Sequence, residues 1–201
     1  MTAVVALSSI FDLHRLPEHE RFIAEPSDIA YVSGSRLAGF GNARSDLDLF
    51  VVYEDVARAK GAPRMFILDE FRVDMERYSR AALDDVARAV NEVDLADPIA
   101  VLGLPHATID LYYRTAIAEP IANAEGFRAL LEAFDREHCR RVYARWAACR
   151  SAQLLAEANA LLVSPHPERA YLRARRALSW ATDSFAAREG GDGDGYPSAK
   201  W

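Results

Sequence analysis

Two stretches carry side chains whose types and spacing suit chemistry on phosphate. Ser33-Gly34-Ser35-Arg36 is followed, after Leu37 to Ser45, by Asp46-Leu47-Asp48. In an extended strand alternate side chains share a face, so Asp46 and Asp48 point one way while Leu47 and Leu49 point into a core. Two neighbouring carboxylates repel each other unless a hard divalent cation sits between them, and the expected cation is Mg²⁺. The Gly-Ser turn beside them offers backbone N–H groups and a hydroxyl to phosphate oxygens. Gly34, without a Cβ, lets a phosphate approach the backbone closely. Arg36 flanks the turn and is expected to neutralise phosphate charge; Arg44, across the loop, reads as a solvated residue. A third acid arrives in phase. Phe71, Val73 and Met75 alternate with Arg72, Asp74 and Glu76, which places Asp74 and Glu76 away from the core on a neighbouring strand. Three carboxylates on one sheet face suit a two-metal phosphoryl or nucleotidyl transfer. One ion holds the triphosphate and the other lowers the pKa of the attacking hydroxyl. Glu76 is either a general base for the acceptor or an exposed strand residue.

The elements that must position these groups follow from periodicity. Asp28 to Val32 reads as a strand ending at Gly34, and Leu47 to Tyr53 as a central strand beyond a glycine-containing loop. Arg64 to Leu68 and Phe71 to Tyr78 flank the turn-prone Asp69-Glu70 as an antiparallel hairpin. Ser79 is a good N-cap for a helix over Arg80 to Asn91. Ile109 to Ile117 looks strand-like and stops at Glu119-Pro120. Beyond it, residues 125–163 lack proline, and Phe127, Leu131, Phe134, Val142, Trp146 and Cys149 fall largely on one helical stripe. Pro165 and Pro167 interrupt, and a second helix follows with Tyr171, Ala174, Leu178, Ala181 and Phe185 spaced as an apolar stripe. The expected fold class is α+β: a small mixed β-sheet catalytic domain with flanking helices over residues 1–122, then an all-α helical-bundle domain over residues 123–201.

Composition narrows the class of protein. With 201 residues, 51% of them hydrophobic, the chain can bury a core, which excludes disorder as its main state. No window holds the roughly 18 consecutive apolar residues of a membrane span, and Met1 to Phe11 lacks a basic n-region. A cytoplasmic protein with no membrane partner is expected. Ten residues of helix separate Cys139 from Cys149 by about 15 Å, too far for a disulfide, so both read as free thiols. The net charge of −6 hides a split: residues 1–125 hold 12 basic and 21 acidic side chains, residues 126–188 hold 11 and 6. That is not the footprint of a duplex nucleic-acid binder. Arg136, Arg140, Arg141 and Arg145 on one helix, and Arg169, Arg173 and Arg176 on the next, either solvate helix faces or reach a triphosphate. His106, His138 and His166 lack ligand spacing.

The string Gly34-Ser35, ten residues, then Asp46-Leu47-Asp48 on strand–loop–strand, with Asp74 in Arg72-Val73-Asp74-Met75-Glu76, resembles the signature of the DNA polymerase beta-like nucleotidyltransferase superfamily. It is most similar to the minimal nucleotidyltransferases and the aminoglycoside adenylyltransferases, over about residues 28–78. The resemblance implies that Gly34 and Ser35 grip the triphosphate of ATP or another nucleoside triphosphate. It implies that Asp46 and Asp48 bind two Mg²⁺ ions, and that Asp74 completes the nucleophile-side metal site. Adenylyltransferases of this kind often carry a Ser-Lys segment after the helical region whose lysine contacts the triphosphate. Here Ser198 and Lys200 are separated by Ala199 and the sequence stops at Trp201, so the resemblance implies a further helix or two. The implied function is transfer of a nucleoside monophosphate, AMP from ATP, to a hydroxyl of a small-molecule acceptor with release of pyrophosphate. Acceptor contacts are expected around Tyr112, Tyr113 and His106 and from the helical half. Two other functions fit the motif: nucleotidyl transfer to a protein or tRNA in a toxin–antitoxin setting, and a non-catalytic nucleotide-binding module. Polymer synthesis fits less well, because no track of basic and aromatic residues awaits a growing strand.

Overall fold

The computed structural model describes residues 25–35, 37, 45–68 and 71–189. Among them are five strands and seven helices: β1 (Ile29–Ser33), β2 (Leu47–Tyr53), α1 (Val56–Ala59), β3 (Arg64–Leu68), β4 (Phe71–Ser79), α2 (Arg80–Asn91), α3 (Pro98–Gly103), α4 (His106–Ala116), β5 (Glu119–Ala122), α5 (Ala124–Leu131), α6 (Arg136–Leu162) and α7 (Glu168–Glu189). The fold is mixed α/β with a helical C-terminal region. No helix among the described residues is long and apolar enough to cross a membrane.

The strands form one mixed sheet in the order β3-β4-β2-β1-β5. β2 lies at its centre, antiparallel to β1 and parallel to β4. Alternation fixes which way each side chain points. Ala30, Val32, Leu47, Leu49, Val51, Tyr53, Val73 and Met75 pack into one buried cluster on one face. β2 is buried on its second face too, where Tyr31 stacks on Phe50 at 5.1 Å and meets Phe127 of α5 at the same distance. A central strand buried on both sides needs an almost unbroken apolar run, and Leu-Asp-Leu-Phe-Val-Val-Tyr interrupts it only at Asp48. That makes Asp48 the residue whose placement needs a reason beyond packing.

The chain divides into two compact units that are not contiguous along it. Among the described residues, one takes those of 25–88 together with 111–135, the other takes 89–110 together with 136–189.

β1 to β4 and α2 lie where the sequence pattern puts them, and Ser79 accepts a hydrogen bond from the Ala82 N–H at 3.2 Å as the cap of α2. Three expectations are corrected. Ile109 to Ile117 is not a strand: residues 106–116 form α4, and only Glu119–Ala122 is extended. Ile109, Tyr112 and Tyr113 are buried at helical spacing, and this 3.6-residue period outweighs the β propensity of Ile, Tyr and Thr. The proline-free run is two helices. α5 ends near Leu131, and the break before α6 is stabilised by the buried Tyr112 hydroxyl, which donates to the Ala133 carbonyl and accepts from the Asp135 N–H at 2.7 Å. Finally, the apolar stripe of α7 faces outward: Tyr171, Leu178 and Phe185 are 69%, 68% and 65% exposed, whereas Ala170, Ala177, Ser184 and Ala187 are buried. Small side chains let α7 approach α6 until Ser151 donates to the Ala177 carbonyl at 2.7 Å and Ser184 to the Ala144 carbonyl at 2.8 Å. Close helix contact, not side-chain bulk, selects the buried face.

Candidate functional site

The acids are gathered by strand register. Asp48 sits directly beside Asp74 in the parallel pair, and Ser33 of β1 lies on its other side. Asp46 precedes β2 by one residue, in phase with Asp48 and next to Arg72 at the start of β4. Phe50 pairs with Glu76, so Asp46, Asp48, Asp74 and Glu76 share the face opposite the Leu47–Val73 cluster. On the edge strand β3, Met65 pairs with Asp74 and Ile67 with Arg72. Both apolar side chains are exposed, a shelf beside the acids that nothing in the sequence pattern singled out.

Gly34 has a more specific reason than expected. It adopts φ +97°, and a Cβ there would stand 1.9 Å from Asp48 Oδ2. The space a side chain would take is filled by the Asp48 carboxylate, so the glycine is what lets that acid tuck against the turn after β1. Ser35 is half-buried in the same turn, which the Leu37 N–H closes onto the Gly34 carbonyl at 3.1 Å. Arg36, Arg44, Ser198 and Lys200 lie outside the described residues.

Two guanidinium groups stand against the acid face. Arg72 makes a close ion pair with Asp46 and reaches within 3.9 Å of Asp74. The Arg72 guanidinium holds the Asp46 carboxyl below the ordinary carboxylate range, against an opposite push from partial burial. Arg114, from the last turn of α4, lies with Nη1 3.6 Å from Asp48 Oδ1 and 3.6 Å from Glu76 Oε1. The Tyr78 hydroxyl donates to Glu76 Oε2 at 2.5 Å, and burial together with that carboxylate pushes the phenol above its usual range, keeping it a donor. Both oxygens of Glu76 are therefore engaged. The backbone beneath Arg114 is fixed as well: Ser33 Oγ donates to the Arg114 carbonyl at 2.6 Å, and the Tyr31 and Thr115 hydroxyls share a hydrogen bond of 3.1 Å.

Sequence reasoning missed Arg114 because it read that segment as a strand. Pro105 ahead of His106 is the helix-start signal that was available, but no local feature links Arg114 to an acid more than sixty positions earlier in the chain.

With the side chains so placed, no group of three or more His, Cys, Asp or Glu among the described residues is arranged to hold a metal ion. The donor set nonetheless fits a hard divalent cation. Asp46, Asp48 and Asp74 are oxygen ligands in phase on neighbouring strands, and each faces a guanidinium, so positive charge is already matched to that face.

Other expected residues take structural positions. Tyr112 and Tyr113 are buried on α4 and do not lie on a loop. In the helical unit, His106 lies 5.2 Å from the Trp146 ring, 5.8 Å from Trp180 and 6.1 Å from Tyr143. Its Nε2 is buried without a hydrogen-bond partner among the described residues. His138 Nε2 meets the Val90 carbonyl at 3.0 Å, and His166 lies 3.3 Å from Glu168. Three of the arginines expected to line the faces of α6 and α7 bind within the same unit. Arg140 pairs with Glu137 and donates to the Ala187 and Arg188 carbonyls at the end of α7, Arg145 donates to the Leu95 carbonyl, and Arg173 pairs with Glu157. Cys139 and Cys149 are free thiols.

No protein-family model matches the chain, and no curated protein matches it.

Proposed function

We propose that the chain is a Mg²⁺-dependent nucleotidyltransferase that moves AMP from ATP onto a hydroxyl of a small-molecule acceptor. One observation carries the reading: Asp48 and Asp74 are direct neighbours across a parallel strand pair, with Asp46 in phase and the Gly34 turn against Asp48. Packing gives no reason for three acids on the face of a central sheet pair, whereas polyphosphate chemistry does.

The residues divide the work. Asp46, Asp48 and Asp74 would hold the Mg²⁺ ions, which when bound neutralise triphosphate oxygens and lower the pKa of the acceptor hydroxyl. The turn at Gly34 and Ser35 presents backbone N–H groups and a hydroxyl to the phosphates. The acceptor oxygen attacks the α-phosphorus in line, and its proton passes to the Asp74 carboxylate. The bond from that phosphorus to the bridging oxygen breaks, and pyrophosphate leaves. Met65 borders Asp74 and Ile67 borders Arg72, and their exposed side chains offer the acceptor an apolar surface.

The test is incubation with labelled ATP, Mg²⁺ and a panel of hydroxyl acceptors, following pyrophosphate and the modified acceptor. Transfer that disappears in Asp46→Asn/Asp48→Asn supports the reading. Pyrophosphate release that persists undiminished in that variant overturns it.

A further inference from the structure

Arg114 is one cation shared by two carboxylates from different strands. It is 14% exposed, lies 3.6 Å from both Asp48 and Glu76, and is carried on a helix end bolted to β1 through Ser33 and the Tyr31–Thr115 pair. A guanidinium keeps its charge at any working pH. It therefore opposes any cation that comes to Asp48, unless another anion keeps it drawn back. Glu76 is placed to be that anion, with one oxygen toward Arg114 and the other fixed by the Tyr78 hydroxyl at 2.5 Å.

We propose that Tyr78, Glu76 and Arg114 form a relay that sets the cation affinity of Asp48, with Glu76 serving as the anchor that holds Arg114 aside and not as a general base. The inference rests on the reading of the acid face as a divalent-cation site. Arg114 acts as a built-in competitor for Asp48, and Glu76 determines how strongly it competes. Both are positioning residues: they act on the ion through Asp48.

The experiment is titration of the full chain with Mn²⁺, following the free-ion signal by electron paramagnetic resonance, in a two-by-two set of Glu76→Gln and Arg114→Gln. With water-like screening, a unit charge about 6 Å from a dication changes affinity by about tenfold. Arg114→Gln is expected to tighten Mn²⁺ by about that factor. Glu76→Gln releases Arg114 onto Asp48 and is expected to weaken binding about tenfold. In the Arg114→Gln background only the direct attraction of the Glu76 charge is lost, and the same change should weaken binding by a clearly smaller factor than in the wild-type background. Arg114→Lys, which keeps the charge, should stay within about threefold of wild type. Should Arg114→Gln fail to fold, Arg114→Met replaces it. An equal effect of Glu76→Gln in both backgrounds, or weaker binding after loss of Arg114, overturns the relay. If the wild-type chain binds no Mn²⁺ that Asp48→Asn removes, the cation-site reading falls and takes the relay with it.

Discussion

Gly34→Ala is the substitution whose consequences the structure defines most closely. The new Cβ would stand 1.9 Å from Asp48 Oδ2 and 2.9 Å from its Cγ, and the backbone would have to keep φ +97° with an L side chain. The backbone part costs about 1–3 kcal/mol. The steric part cannot be relieved by rotating the carboxylate tip, because Cγ is also too close, so Asp48 must leave its place. For a chain of 201 residues each kcal/mol lowers the melting temperature by about 2–4 °C, so the backbone part alone gives a fall of about 2–12 °C. The assay is calorimetry on wild type, Gly34→Ala, Asp48→Ala and the double variant. Removing the Asp48 side chain abolishes the collision and leaves only the backbone strain, so Gly34→Ala should cost less in the Asp48→Ala background. Equal melting temperatures for wild type and Gly34→Ala would refute the argument, as would an identical loss in both backgrounds.

Other perturbations have equally definite outcomes. Ser79→Ala removes the cap of α2 and is expected to cost about 1 kcal/mol, read as a shift in the midpoint of urea unfolding. The carboxyl of Asp46 is held below its ordinary 3.8 by Arg72, so its contribution to stability is present above that value and lost as the pH falls through the lower folded-state value. Arg72→Ala should therefore flatten the acid limb of the stability profile measured between pH 2 and 5. Burial raises the carboxyl of Asp183, so its ionised form destabilises the folded chain as the pH rises above 3.8. Asp183→Asn should melt above wild type at pH 7 and converge with it near pH 3, as thermal melts at the two pH values will show.

Much of the sheet was legible because strand periodicity is local. Asp46, Asp48, Asp74 and Glu76 alternate with Leu47, Leu49, Val73 and Met75, and that alternation alone predicts which face each occupies. Their adjacency required tertiary information, since β2 and β4 pair in parallel across an intervening helix and strand. The α4 segment misled because Ile109, Tyr112, Tyr113 and Thr115 favour strands by type, whereas their spacing favours a helix. α7 misled for the opposite reason. Its large apolar residues keep the helical period, but Ala170, Ala177 and Ser184 carry the contact because they allow the backbones close. Arg114 was invisible because its partners come from β2 and β4, far away in sequence.

The parallel pairing of β2 with β4 also decides which genetic changes the site can survive. Because Asp48 lies beside Asp74 and Leu49 beside Met75, inserting or deleting one residue within either strand exchanges the two faces. Carboxylates would then be driven into the apolar layer and leucines out of it. Substitutions can tune the acid face one residue at a time, but single-residue changes in length between 47 and 53 or between 71 and 79 destroy site and core together. Surviving length variation in homologous chains should thus gather in the segments that join these strands.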